Sequence, residues 1–351
     1  MSVASTVRAL RSVSDLLVPI SFNRVGFELN RRGFDPTDPP DLPRSARRAR
    51  VALVTGANSG IGRATASALA RRGFEVWLLC RDRGRGEEVL EALGREHGHD
   101  RVRLGVVDVS SVASIRRFVR DEAPSHVDVL VHNAGVLPDR KSLSGDGVEV
   151  TFATSVLGPF ALTGLLLDRM RESSDARVIF VSSGGMYLQR LDLSLLDVEE
   201  AKFDGVTAYA NAKRAQVILA RLFAERFSRG TSLTFASMHP GWVDTAAVRT
   251  SLPRFHEVMK RFLRTAEQGA DTVVWLAASE RPRGTLGKLW FDRRAAPVHP
   301  FPWTRERTRS REALLAFCEE KSGISLESVV PVSPPPSRRT NGAPTGPRVG
   351  P

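Results

Sequence analysis

The sequence predicts an α/β fold in which a doubly wound, mostly parallel sheet is covered by helices on both faces. Three observations carry that expectation. Seven short runs between residues 51 and 291 are apolar at nearly every position, which is how a strand reads when both of its faces are buried. Longer segments with apolar residues three and four apart lie between them, the period of amphipathic helices. The first apolar run ends in a cluster of glycines that opens the first helix.

Along the chain, residues 1–49 read as an N-terminal extension and linker. Leu10, Val13, Leu16 and Leu17 alternate at helical spacing with Arg8, Arg11 and Asp15 in an amphipathic stretch that Pro19 ends. Such a stretch packs on the protein body or a second subunit, with weak contact to a membrane surface as the alternative. "FDPTDPPDLPRSARR" has no periodicity and marks the boundary near residue 49. Strands are expected at 51–55, 75–80, 101–108, 127–133, 177–183, 233–238 and 286–291, and helices near 60–72, 84–96, 111–122, 147–171, 207–228 and 266–278. This alternation is a Rossmann-type three-layer α/β/α single domain over 50–292, with its ligand at the carboxyl ends of the strands. Residues 293–330 form a C-terminal extension with one helix around "EALLAFCEEKSGISLESV", and the composition of 331–351 is that of a disordered tail.

The chain of 351 residues has a formal net charge of +12, which suits an anionic partner such as a phosphorylated cofactor. Much of that charge lies outside the periodic middle, in "RSARRAR", in "FDRRAAPVHPFPWTRERTRSR" and in the tail. No zinc-finger, RNA-binding or basic-zipper pattern accompanies it, so specific nucleic-acid recognition is not expected. Two cysteines, Cys80 and Cys318, leave no room for a disulfide framework or a Cys/His metal site and point to a cytoplasmic protein. No uninterrupted apolar run reaches the ~18–20 residues that span a bilayer, and no secretory leader is recognisable at the start.

The motifs fall at the expected strand ends. "TGANSGIG" places Thr55, Gly56, Asn58, Ser59, Gly60, Ile61 and Gly62 in the first strand-to-helix turn, where small residues let a pyrophosphate approach the backbone and a helix N-terminus holds its charge. Arg81 ends the second strand in "CRDR", where many dinucleotide domains carry an acid for the ribose hydroxyls. A cation there favours the 2'-phosphate of NADP(H), with NAD(H) as the alternative. Asp108 and Val109 stand at the end of the third strand, Asn133 and Gly135 at that of the fourth, and Ser182 and Ser183 at that of the fifth. "YANAK" sets Tyr209 and Lys213 four residues apart, on one face of a helix. A neighbouring ammonium favours phenolate, so the Tyr209 pKa is expected below its ordinary value.

This ordered set, TGxxxGxG, NAG, a serine, YxxxK and PGxxxT, closely resembles the classical short-chain dehydrogenase/reductase family over residues 50–292. "VSSGGM", "FDG", "SMHPGWVDT", "EQGADTVVWLA" and "GKLWFDR" further resemble one subgroup of it. The resemblance implies catalysis by Ser183, Tyr209 and Lys213, with Lys213 also bonding the nicotinamide ribose. Pro240, Gly241, Val243 and Thr245 would cover the nicotinamide, and the segment after them would form a substrate lid. It also implies a homo-oligomer, a small carbonyl or alcohol substrate and NADP(H)-dependent oxidoreduction. Tyr187, which lacks a lysine four residues on, either lines the substrate site or packs. One departure stands out: the family's asparagine on the helix after NAG, which supports a water chain to the lysine, is Ser155 here. That departure motivates an alternative, a noncatalytic NADP-binding interaction protein.

Overall fold

Residues 21–42 and 48–327 are described by the computed structural model of the chain. The amphipathic stretch before Pro19, part of the linker and the tail lie outside the described residues.

Eight strands form one sheet in the order β3-β2-β1-β4-β5-β6-β7-β8. The first six are β1 (Val51–Thr55), β2 (Glu75–Cys80), β3 (Val102–Val106), β4 (Val129–His132), β5 (Ala176–Val181) and β6 (Leu233–Met238). They pair in parallel, as does β7 (Leu289–Phe291) with β6, and only β8 (Arg294–Ala295) runs antiparallel. The chain reverses direction across the sheet after β3, returning beside β1 as β4. That reversal opens the crevice at the strand ends where doubly wound folds bind ligands.

Helices α2 (Gly60–Arg71), α3 (Arg83–His97) and α9 (Ala266–Ala278) cover one face, and α4 (Val112–Asp121), α5 (Val150–Arg171) and α6 (Gly205–Phe227) the other. Helix α1 (Arg24–Arg31) precedes the sheet, and two short helices, α7 (Ala246–Ser251) and α8 (Pro253–Met259), occupy the expected lid. Helix α10 (Thr308–Ser322) buries Leu314 and Cys318 in the core beneath α5 and α6. Helix α5 is apolar and long enough to cross a membrane by composition, but its most apolar stretch is 83% buried inside the protein. Its polar residues interrupt the apolar run, which is why the sequence presents no uninterrupted span there.

Two features were not visible in the residue pattern. Residues 153–157 of α5 wind as a single π-helical turn centred on Ser155; such bulges concentrate at functional positions. The β7–β8 hairpin turns through Asp292 and Arg293 at φ of 46° and 59°, with no glycine or asparagine to signal it. Ion pairs hold both residues in this unfavoured conformation. The Asp292 carboxylate takes the Arg264 guanidinium at 2.6 and 2.9 Å and an Asn30 amide at 2.9 Å, while Arg293 pairs with Asp271 and lies over the Phe34 ring.

Arg264 is the hub of this end of the molecule. Buried between the rings of Phe27 and Phe291, it donates to the carbonyls of Ser21, Phe22 and Asn23. Asn23 in turn caps α1, accepting from Val25 and Gly26 N–H. The segment read as an extension is thereby packed on the sheet domain from residue 21 onward.

Because both members of the Arg264–Asp292 pair are buried, removing one leaves an uncompensated charge. Arg264→Met is expected to cost about 3–5 kcal/mol in urea unfolding, and Arg264→Met with Asp292→Asn to recover a large part of that loss.

Candidate active site

The parallel register brings the ends of β1, β4, β5 and β6 to one edge, and the motif segments begin there. On the first side is the glycine turn. Gly56 and Gly60 adopt φ of 64° and 52°, a region that side chains disfavour. At Gly62 a Cβ would overlap the Gly56 carbonyl oxygen and the Asn133 amide. Ser59, at the N-cap of α2, makes no side-chain cap bond, so the first-turn N–H groups of that helix are left for a ligand. This cradle fits a dinucleotide pyrophosphate.

Asn133 braces the turn from below. Its Nδ2 donates to the Thr55 and Gly56 carbonyls at 2.9 and 3.3 Å, and Thr55 Oγ1 receives the backbone N–H groups of Asn133 and Ala134 at 3.0 Å. These side chains fix the backbone that meets the cofactor. Arg81 is exposed at the end of β2. The adjacent acid, Asp82, is engaged as the N-cap of α3, its Oδ1 accepting from Arg85 N–H at 2.9 Å. After β3, one Asp108 oxygen accepts from Ser110 N–H and Oγ, and the Val109 carbonyl lies against Gly158 of α5.

The loop after β6 closes over the turn. A Cβ on Gly60 would lie 3.5 Å from Thr245 Cγ2, and the Val243 side chain meets Gly269 and Ile61. Gly241 bends at φ 74°, and a Cβ there would lie 2.6 Å from the Phe22 carbonyl oxygen and 2.7 Å from Arg264 Nε. Trp242 N–H donates to that same carbonyl at 2.8 Å. Residues 21–23 therefore support the Pro240–Thr245 loop directly. A lone Phe-Asn pair in a segment read as an extension gave no sign of this role.

On the other side lies α6, capped by Asp204. Strand β5 grips Lys213 at both ends: Val181 O accepts from Nζ at 2.9 Å, and Ser182 Oγ donates to the Lys213 carbonyl at 2.7 Å. Ser182 is thereby engaged in structure, and Ser183 bonds to the Tyr209 side chain. Gly135 admits the ammonium, since a Cβ there would lie 3.3 Å from Nζ. The ammonium is 5.4 Å from the centre of the Tyr209 ring.

The electrostatics correct one expectation. The Tyr209 phenol is raised, not lowered: burial disfavours its charged form, and the Ser183 hydrogen bond offsets this only in part. Burial also brings Lys213 from 10.5 down to about 7, which weakens the cation that was to lower the phenol. Tyr187 is turned inward, its hydroxyl 3.2 Å from His239 Nε2, and packs with Phe22, Met186 and Phe291. Its role is packing. Burial and the Arg264 charge hold His239 neutral, at about 3.

The sequence profile of the short chain dehydrogenase family matches residues 50–254, and the chain belongs to that family. The subgroup features noted above have their counterpart in Dehydrogenase/reductase SDR family member 12 of Bos taurus, to which the chain is 40% identical over 304 residues, covering 85% of this chain and 93% of that protein. Retinol dehydrogenase 11 of Mus musculus is 34% identical over 252 residues, 69% of this chain and 78% of its own length. Among solved structures, an uncharacterized protein from Mycobacterium paratuberculosis superposes with a TM-score of 0.63 at 29% identity, over 82% of this chain and 97% of that one.

The depressed Lys213 value carries a sign that can be measured. Between about 7 and the ordinary 10.5, the unfolded chain binds the proton that the folded one has released, so stability from this group rises with pH across that window. The melting temperature of Lys213→Met relative to the native chain is expected to be more favourable at pH 6.5 than at pH 9.5.

Proposed function

We propose that the chain is an NADP(H)-dependent oxidoreductase that transfers hydride between the nicotinamide and the carbon of a carbonyl/alcohol pair, with Tyr209 as general acid and base. The observation that carries this reading is the trio at one strand end: Ser183 hydrogen-bonded to Tyr209, and the buried Lys213 beside the same ring. The dinucleotide supplies and accepts the hydride. In the reducing direction Tyr209 gives its proton to the carbonyl oxygen, and Ser183 holds that oxygen by a hydrogen bond. The Lys213 ammonium lowers the cost of the phenolate that remains and bonds the nicotinamide ribose. Oxidation of the alcohol reverses these roles.

Preference for NADP(H) rests on Arg81, because the one acid at that strand end is already engaged as a helix cap. The substrate class is inferred from exposed apolar side chains on the segments that carry the motifs and the lid. Leu188, beside the Ser183 segment, Val206, at the start of α6, and Val258, in the lid, are all exposed, which suits an apolar aldehyde or ketone. That retinol dehydrogenases are among the relatives agrees with such a substrate. The same reading assigns a cytoplasmic, homo-oligomeric enzyme. Ser155 favours a second reading, a dinucleotide-binding protein without turnover, which binding of NADPH with no consumption across a carbonyl panel would establish.

Tyr209→Phe is expected to lower kcat by about 10²–10⁴-fold while NADPH binding is kept; unchanged turnover contradicts the mechanism. Arg81→Asp is expected to lower the NADP/NAD preference, read as the ratio of kcat/KM values, by about 10–100-fold through loss of charge-assisted hydrogen bonds.

A further inference from the structure

The Lys213 ammonium makes two hydrogen bonds in the described structure, and only one is to the backbone. The other goes to Gln216, three residues along the same helix face, whose Oε1 lies 3.0 Å from Nζ. An ammonium only donates, so this contact fixes the amide: oxygen towards the lysine, Nε2 away from it. Gln216 is 0% exposed, and its Nε2 has no hydrogen-bond partner.

A second unpartnered polar atom lies near Gly135. Ser155, at the centre of the π-helical turn of α5, is also 0% exposed, and its Oγ has no partner. A Cβ built on Gly135 would be 3.3 Å from Lys213 Nζ and 3.9 Å from Ser155 Oγ. The Gln216 amide thus meets the ammonium directly, while the Ser155 hydroxyl lies beyond Gly135. Packing alone would place leucine at residue 216, since burying half an amide unpaired is unfavourable. Among the described residues no carboxylate pairs with Lys213; the groups that face it are the Tyr209 phenol, the Val181 carbonyl, Gln216 and, across Gly135, the Ser155 hydroxyl.

We propose that Gln216 is a positioning residue of the active site, its carboxamide oxygen holding the Lys213 ammonium in place and in its charged form. The proposal rests on the hydride-transfer reading for its consequence in catalysis, but the contact it describes can be read without turnover.

The test therefore begins there. With lysine labelled at 13Cε, the Lys213 resonance is assigned by its loss in Lys213→Met and titrated in three full-length proteins: native, Gln216→Leu and Gln216→Glu. Removing the acceptor disfavours the ammonium, so in Gln216→Leu the lysine should titrate about one pH unit lower, and in Gln216→Glu higher than native. Equal titration in all three would overturn the proposal. Should the leucine variant fail to fold, the glutamate variant, which keeps size and acceptor, decides by the same shift or its absence. Turnover supplies the second arm. The kcat of Gln216→Leu should fall about tenfold or more at pH 8 and recover towards native as the pH is lowered to 6. A loss equal at all pH values marks a packing role and rejects the idea. A native protein with no turnover at all would sink the hydride-transfer reading, while the titration would still decide the role of Gln216.

Discussion

A primary ammonium with no carboxylate beside it among the described residues is held inside this protein at the end of β5. Burial presses Lys213 towards its neutral form, and what keeps it in place is a strand end that grips it at both the side chain and the backbone. The geometry of the site follows from that grip. Because Ser182 is bound to the Lys213 carbonyl, the next residue, Ser183, is the one left to meet Tyr209. Because Gly135 has no side chain, the ammonium can approach the end of β4. The lysine is thus the point at which the helix, the fifth strand and the fourth are registered on one another.

The opposite wall of the crevice is built on a different principle. There the Thr55–Asn133 network shapes the glycine turn, and the loop after β6 is braced by the carbonyls of residues 21–23 and the buried Arg264–Asp292 pair. One wall is a polar cradle for an anionic cofactor, and the other a pocket around the buried Lys213. Low local dielectric strengthens the few hydrogen bonds in that pocket. It also makes the Tyr209 phenol a weaker acid, because burial disfavours its charged form.

Much of this was legible in the residue order. Strands β1, β2 and β6 occupy the expected spans because each is buried along its length or nearly so and ends at charged residues, glycine or a motif. Helix α9 does so because its Thr265–Gln268 capping box starts it sharply. The glycine turn and the Tyr209–Lys213 pair were legible because their chemistry requires fixed spacing. The rest depended on contacts distant in sequence. Asp292 and Arg293 tolerate positive φ only because partners over twenty residues away hold them. Phe22 and Asn23 are read as linker until Arg264 arrives beside them. Gln216 looks like any polar residue on a helix, and its importance rests on what its oxygen faces. The direction of the Tyr209 shift was misjudged for the same reason: spacing gives the ammonium, and only the folded structure gives the burial.

The central claim is that this crevice moves a hydride while Tyr209 moves a proton. NADPH carrying deuterium at the transferring C4 position, incubated with a panel of apolar aldehydes and ketones, tests it most directly by mass spectrometry of the products. Alcohol one mass unit heavier, with the label on the former carbonyl carbon, is the result the account predicts. Consumption of NADPH without label on that carbon, or no alcohol from any carbonyl although NADPH is bound, would contradict it.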